Sequence, residues 1–189
     1  MPITPARLGD LDTLFARGDP RTCQCAYLRL TNRDYQHSSP AERRDVHHRA
    51  VRRAARAKRA AGMVAYDIAG PAGWVSFGPR EEYARIVASP VLEPVDDAEV
   101  TSVVCFVIAP RARRRGVATA LLESVVGHAA GHGIPLLEAY PVDRDGPAPG
   151  AELWRGPRRL YEAAGFTVAA TRQANAAARR QLIMRRSVP

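Results

Sequence analysis

An arginine-rich turn in the middle of the chain has the residue types that bind phosphate. Arg113, Arg114 and Arg115 precede Gly116, between an apolar segment that stops at Pro110 and a stretch with helical periodicity. A helix begins with unpaired N–H groups and the positive end of its dipole, so such a turn can hold a diphosphate. The string lacks both the Gly-Lys-Ser/Thr of a triphosphate loop and the three-glycine spacing of a dinucleotide site. It predicts a diphosphate site, with a solvated arginine loop as the alternative.

Length and composition place this turn in a folded, basic protein. The chain has 189 residues, of which 46% are hydrophobic and 25% charged, as in an ordinary globular domain. Disordered and fibrous classes are therefore excluded, and a second large domain is not expected. Lysine and arginine outnumber the acids by 28 to 19, a net charge of +9, which would attract a polyanion or a phosphate-bearing cofactor.

The cysteines and the apolar runs bear on where the protein works. Cys23, Cys25 and Cys105 are too few for a disulfide framework, so we expect free thiols and a cytoplasmic location, although Cys23 and Cys25 could form a reactive pair. No apolar run approaches the ~20 residues that cross a bilayer. Residues 1–5 show no basic region before an apolar core, so neither a leader nor a membrane partner is expected.

The elements predicted around the turn alternate between strands and helices. Residues 2–8 are predicted as a first strand, 63–68 and 73–77 as an antiparallel hairpin, 100–108 as the central strand and 116–130 as an amphipathic helix. The remaining elements are a strand 135–140, a loop 143–157, a helix 158–164 and strands 166–171 and 180–185. This order indicates an α+β, or mixed α/β, fold with a twisted, partly antiparallel sheet.

The strongest helical pattern runs over 41–61, between Pro40 and Gly62, with alanines on one narrow face and arginines on the others. The arginines could form a nucleic-acid stripe. Because no aromatics are interleaved with them, a solvated helix exterior is the preferred interpretation. His47 and His48 are expected to face solvent on this helix.

Two motifs in this order of elements resemble those of a known family. Arg113-Arg114-Arg115-Gly116-Val117-Ala118 matches the pattern Gln/Arg-x-x-Gly-x-Gly/Ala directly after the strand 100–108, and Tyr161 stands on a helix before the pair Gly165-Phe166. Both are typical of the GNAT superfamily of acetyl-CoA-dependent N-acetyltransferases, which the sequence resembles. The resemblance covers about 63–186 well and the first 62 residues only by element order.

The resemblance implies a GNAT-like twisted mixed sheet of about seven strands, flanked by about four helices and with splayed central strands. A single N-acetyltransferase domain is expected over 1–189. Within it, 1–62 would supply an N-terminal strand and acceptor-side helices, and 63–189 the acetyl-CoA-binding core.

The resemblance also assigns a cofactor site. The pantetheine arm would pair with the backbone of the strand 100–108, and the diphosphate would sit on the N–H groups and arginines of the turn. The implied residues are Phe106, Val107, Ile108, Arg113, Arg114, Arg115, Gly116, Val117, Ala118 and Thr119. A side chain at Gly116 would crowd the phosphate. Acetyl-CoA is the implied co-substrate, and no metal is expected.

For catalysis, the resemblance implies that Tyr161 gives a proton to the departing thiolate and that an N–H near Val107 holds the oxyanion. The glutamate that serves as base in several relatives is replaced here by Ser102. The candidate bases are Glu99, for which a surface charge is the preferred interpretation, and Glu138, which lies in an apolar strand and therefore needs a partner.

The implied reaction is direct acetyl transfer to a primary amine of an unidentified small molecule or peptide. One alternative is an acyl-CoA-binding domain with little catalysis, and a less favoured one is a basic nucleic-acid-binding module. Homodimers are common among such relatives, and the sequence indicates no interface. His128 and His132 have metal-ligand spacing without a third ligand, and Cys105 is expected in the core.

Overall fold

The structure of the protein is a computed structural model, and it describes residues 1–141, 143 and 154–189. The helices are α1 Leu8–Leu14, α2 Asp19–Cys23, α3 Asn32–His37, α4 Pro40–Arg56, α5 Ala84–Val87, α6 Val117–Gly131 and α7 Arg158–Ala163. The strands are β1 Gly62–Asp67, β2 Gly70–Pro79, β3 Thr101–Ile108, β4 Leu136–Ala139, β5 Thr167–Arg172 and β6 Gln181–Ser187. Most of the predicted loop 143–157 lies outside the described residues.

One mixed sheet holds the six strands of the described residues in the order β1-β2-β3-β4-β6-β5. Only β3 and β4 run parallel, and their connection is α6. The predicted α+β class and mixed sheet are confirmed, as is the β1–β2 hairpin. None of the helices in the described residues is both long and apolar enough to span a membrane.

The predicted first strand over 2–8 is wrong. Pro2 makes a single bridge to Met63, after which Pro5–Arg7 is a 3-10 helix that leads into α1. Proline has no N–H to give to a ladder, and the prolines at 2 and 5 therefore cannot extend the pairing. For this reason the sheet has one strand fewer than the sequence predicts.

Helix α4 begins at a capping box: Ser39 accepts from the N–H of Glu42, and the Glu42 side chain accepts from the N–H of Ser39. It ends at Arg56, earlier than the predicted residue 61, and Lys58 then turns the backbone into the left-handed region at φ 55°. The expectation that His47 and His48 face solvent is wrong, since both are buried. The buried face of α4 is broader than its alanine row indicates.

The sheet separates two apolar cores. On one face, α1 and α4 pack against the sheet, and this core includes Leu11, Phe15 and Trp74. On the other face, α6 and α7 pack against the sheet, and this core includes Phe77, Phe106 and Leu122. Gly73 in β2 lets α6 lie close to the sheet, because a Cβ at this position would come within 2.8 Å of a Val117 methyl. The start of α6 is therefore fixed against the middle of the sheet.

Candidate active site

The two central strands, β3 and β4, pair over three positions and then separate. Ser102 lies opposite Glu138, and the pairing of β3 with β4 ends at Val103 and Ala139. Strand β3 continues to Ile108 and pairs there only with β2, where Val107 lies opposite Trp74. Along 104–108, the edge of β3 that faces away from β2 therefore makes no strand pair with any described residue. The opening is an edge to which an extended ligand can add like a strand.

This edge leads into the arginine-rich turn. After the 3-10 turn Pro110–Ala112, Arg114 and Gly116 both take positive φ, at 58° and 77°, and α6 begins at Val117. The first intrahelical bond runs from the N–H of Ala120 to the carbonyl of Gly116, at 3.0 Å. The N–H groups of 117–119 are consequently left without an intrahelical acceptor.

Gly116 serves this turn through its conformation. Its left-handed backbone disfavours any side chain, while a Cβ there would have no heavy atom within 4 Å. The space around the turn is therefore open, and the donors and cations beside it suit an anion.

One arginine of the turn, Arg111, is held by a carboxylate, and the three that follow it are exposed. Arg111 makes two bonds of 3.1 Å to Asp67 and one of 3.0 Å to the carbonyl of Pro71. The side-chain bonds from Arg111 are the main reason why the pKa of Asp67 is lowered. The exposed side chains of Arg113, Arg114 and Arg115 follow, and Arg113 Nε donates to the carbonyl of Ile108 at 3.3 Å.

Tyr161 lies on α7, beside the open edge. Its ring packs against Phe106 of β3 and against Phe166, with centroids 6.3 and 5.4 Å apart. The side chain is fully buried, and its hydroxyl donates to the carbonyl of Arg155 at 2.5 Å. Burial raises the pKa of Tyr161 above its ordinary value. The hydroxyl therefore keeps its proton, as a general acid must.

Glu138 anchors a buried network at the point where β3 and β4 diverge. One carboxylate oxygen accepts from Arg80 at 2.7 Å and from the Tyr140 hydroxyl at 2.6 Å, and the other from Arg185 at 2.7 Å. The Tyr140 hydroxyl also lies 2.6 Å from Ser102 Oγ. Burial, then the charge of Glu138, raises the pKa of Tyr140. Glu138 thus reaches the cleft through Tyr140.

The sequence indicated that Glu138 needs a partner but not which groups supply it. Arg80, Tyr140 and Arg185 carry no local signal, and two of them lie 58 and 47 residues away along the chain. The second candidate base, Glu99, is an exposed residue just before β3. Of the two candidate bases, Glu138 is therefore buried in a hydrogen-bonded network, whereas Glu99 faces solvent.

A small cavity opens beside this network. Its volume is about 10 Å³, room for roughly one water. The lining residues are Leu28, Ile86, Leu92, Val103, Val104, Tyr140 and Arg155. Trp154 stands next to Arg155 and packs edge-on against Tyr27, with centroids 5.6 Å apart. Trp74 and Tyr83, two other aromatic residues, are part of the core.

All three cysteines are free thiols, as predicted. Cys25 and Cys105 are buried in contact with each other, and Trp74 Nε1 donates to Cys25 Sγ at 3.4 Å. The contact with Cys105 is the largest cause that lowers the pKa of Cys25, to about 7, while the pKa of Cys105 is raised. No group of three or more potential metal ligands comes together in the described residues.

Fold and site thus define a protein with a splayed mixed sheet and, at the end of its central strand, a turn whose N–H groups and arginines suit an anion. The sequence matches the family described as Acetyltransferase (GNAT) family over residues 26–166, and the chain belongs to this family. No curated protein matches it.

Several solved structures resemble the chain in fold. Ard1 from Thermoplasma volcanium is 15% identical, with a TM-score of 0.56 over 100% of this chain and 96% of that one. Ribosomal-protein-alanine N-acetyltransferase from Brucella melitensis is 16% identical, with a TM-score of 0.58 and coverage of 100% and 98%. Naa20 from Chaetomium thermophilum, in complex with a bisubstrate analogue, is 15% identical, with a TM-score of 0.51 and coverage of 100% and 85%.

Proposed function

We propose that the protein is an acetyl-CoA-dependent N-acetyltransferase that acts by direct attack of a primary amine. The observation that carries this proposal is the continuity of two features: the unpaired edge of β3 over 104–108 runs into the free N–H groups at the start of α6. Bound acetyl-CoA would supply the acetyl group as a thioester. Membership of the GNAT family supports the same reaction.

Different groups of the chain would bind the different parts of acetyl-CoA. Backbone groups of Phe106, Val107 and Ile108 would hold the extended arm, in the manner of an added strand. The N–H groups from Arg114 to Thr119, which include Gly116, Val117 and Ala118, would hold the diphosphate, with added charge from Arg113, Arg114 and Arg115. The regions 63–189 and 1–62 would then supply the cofactor core and the acceptor side, respectively.

In the acetyl-transfer step, an N–H near Val107 would stabilise the oxyanion, and Tyr161 would release its proton to the leaving sulfur. Tyr161 would have to exchange its bond to the Arg155 carbonyl for one to that sulfur. The amine proton would leave either to Glu99 through water or toward Glu138. Because donors occupy both oxygens of Glu138, the second route would pass through Tyr140 and Ser102.

Two observations favour a second function, an acyl-CoA-binding domain with little catalysis. The Tyr161 hydroxyl is already bonded, and the position of the family's glutamate holds Ser102. This alternative predicts tight binding of acetyl-CoA without thiol release when amines are added.

The test combines binding and turnover in two matched variants. Gly116 and Gly133 both have positive φ and open surroundings, but the first lies at the start of α6 and the second beyond its end. Gly116→Glu should weaken acetyl-CoA binding by at least about tenfold, or 1.4 kcal/mol, because its carboxylate would repel the diphosphate. Gly133→Glu carries the same backbone strain and should bind normally. Calorimetry measures both, and thiol release with an amine panel measures turnover.

Equal acetyl-CoA affinity in the two glycine variants would mean that the arginine-rich turn over 113–119, the proposed phosphate turn, does not bind the diphosphate. Tight binding in the wild type with no thiol release from any amine would leave the binding-domain alternative in its place.

A further inference from the structure

The buried and half-buried arginines fall into two groups: those that pair with a carboxylate, and those, such as Arg43 and Arg155, that meet neutral acceptors in the described residues. Arg29 pairs with Glu82 at 3.0 Å, and Arg80 and Arg185 both pair with Glu138 at 2.7 Å. Arg155 meets a neutral acceptor instead: its Nη1 donates to Gln181 Oε1 at 2.5 Å. Its guanidinium also lies over the Trp154 ring, 4.8 Å from the centroid. Within the described residues it makes no ion pair with a carboxylate.

An arginine in this position carries an electrostatic cost. Desolvation lowers the pKa of Arg155, and among the described residues no carboxylate counters this effect. A charge withdrawn from water is normally paired, and groups with perturbed pKa values are enriched in functional pockets. Arg155 also lines the cavity beside Tyr140 and Val104. The guanidinium is therefore placed to meet a ligand's charge.

The side chain of Arg155 borders space that a ligand can enter, because it is half-buried and lines the cavity. Trp154 and Gln181 fix the guanidinium plane from two sides. A fixed fork of this kind binds a carboxylate through two parallel bonds.

The same residue is connected to the proposed reaction centre. The carbonyl of Arg155 accepts the Tyr161 hydroxyl, and Gln181 also donates to the carbonyl of Tyr140. A carboxylate on Arg155 would therefore place the rest of the acceptor beside Tyr140 and the end of the β3–β4 pairing. The other lining side chains, among them Leu28, Ile86 and Leu92, are apolar.

We propose that the acceptor is an amino carboxylate with an apolar body, whose carboxylate pairs with Arg155. This inference rests on the proposed function, since it names the acceptor of that reaction. Arg155 is the residue that determines specificity, and it discriminates against amines without an anionic group. The small size of the cavity requires its rim to move when the acceptor binds.

The test compares each amino acid with its own amide. Leucine and leucinamide, methionine and methioninamide, and β-alanine and β-alaninamide are assayed by thiol release, in the wild type and in Arg155→Gln. The acid-to-amide ratio of kcat/KM should fall at least tenfold in the variant, through a higher KM for the acids. Because amides have the lower amine pKa, the change in this ratio between proteins is the decisive quantity.

Two further variants separate recognition from folding. Arg159→Gln, an exposed neighbour on α7, should keep the wild-type ratio. Arg155→Lys should restore part of it, since the charge returns without the fork. If Arg155→Gln does not fold, inhibition of the wild type decides: 4-methylpentanoate should compete with the acceptor and 4-methylpentanamide should not.

The outcomes distinguish this inference from the proposed function. Amides used as well as acids by the wild type, or an unchanged ratio in Arg155→Gln, would overturn the amino carboxylate and leave the acetyltransferase standing. Failure of every amine to release thiol, despite normal acetyl-CoA binding, would end the proposed function and this inference with it.

Discussion

At the scale of single residues, His47 shows how the core holds a polar group for its shape. Its ring packs edge-on between Phe15 and Trp74, with centroids 5.4 and 5.2 Å away, and its Nε2 has no partner in the described residues. Desolvation, followed by the charge of Arg29, lowers the pKa of His47 to about 3. The ring is therefore neutral wherever the protein is folded and near neutral pH.

His47 should make stability depend on pH. The unfolded chain takes up a proton on this histidine below about 6.5, whereas the folded protein resists protonation down to about 3. Stability is thus fully present above the unfolded pKa and is lost as pH falls toward the folded one, by up to about 1.4 kcal/mol per pH unit. His47→Phe keeps the aromatic packing and should unfold with a shallower pH dependence. Urea unfolding from pH 7.5 to 4 measures the difference, and parallel curves would contradict it.

Tyr161 combines a structural contact with its proposed role in catalysis. Phenylalanine at this position keeps the ring between Phe106 and Phe166 and removes the hydroxyl alone. Tyr161→Phe should lower kcat by roughly 10²-fold or more, as the loss of a general acid does. Its affinity for acetyl-CoA should stay the same. Tyr66→Phe, which removes an exposed hydroxyl bonded to Asp10, is the control. Unchanged turnover in Tyr161→Phe would take this residue out of the mechanism.

At the scale of elements, a buried network of polar contacts lies at the point where β3 and β4 separate. Ser102, Tyr140 and Glu138 join the two strands where the pairing ends, and Arg80 and Arg185 tie this point to the β2 end and to β6. A fully bonded buried network rigidifies its surroundings. The cleft is therefore built into the sheet, and a ligand need not pry the strands apart.

Elements with strong periodicity could be predicted from the sequence, because their signals are local. The hairpin of β1 and β2, the central strand β3 and helix α6 all follow from apolar spacing between glycines and prolines. The first strand could not, since Pro2 and Pro5 remove the donors that a ladder needs. The buried state of His47 was missed because an alanine row alone defines too narrow a face for α4.

The residues of the candidate site also fall into some that could be predicted from the sequence and some that could not. The proposed phosphate turn and Tyr161 could be named as candidates from the sequence, because each stands at a fixed distance from a glycine in one continuous segment. Arg155 and Tyr140 could not, because their roles in the proposals come from contacts with Gln181 and Ser102, which lie 26 and 38 residues away along the chain. Because the chain has many arginines, its composition alone cannot distinguish an arginine that is paired with a carboxylate from one that is available to bind a ligand.

At the scale of the whole molecule, the surplus of positive charge has a use even if no nucleic acid binds. Exposed arginines occupy the phosphate turn and the outer face of α4, and the formal net charge is +9. A positive protein attracts an anionic ligand such as acetyl-CoA from a distance and so raises the rate of encounter. This long-range effect is screened by salt, with a Debye length of about 10 Å at 0.1 M.

The association rate of acetyl-CoA should therefore fall as salt rises, roughly three- to tenfold from low to moderate ionic strength, with little change in dissociation. Replacing the exposed Arg52 and Arg56 of α4 by glutamate lowers the net charge by four, from +9 to +5, without touching the phosphate turn. This pair of changes should slow association and weaken its salt dependence, while dissociation stays constant. Stopped-flow fluorescence measures both rates. Association that is indifferent to salt and to these two changes would mean that local contacts at the turn alone bring the ligand in.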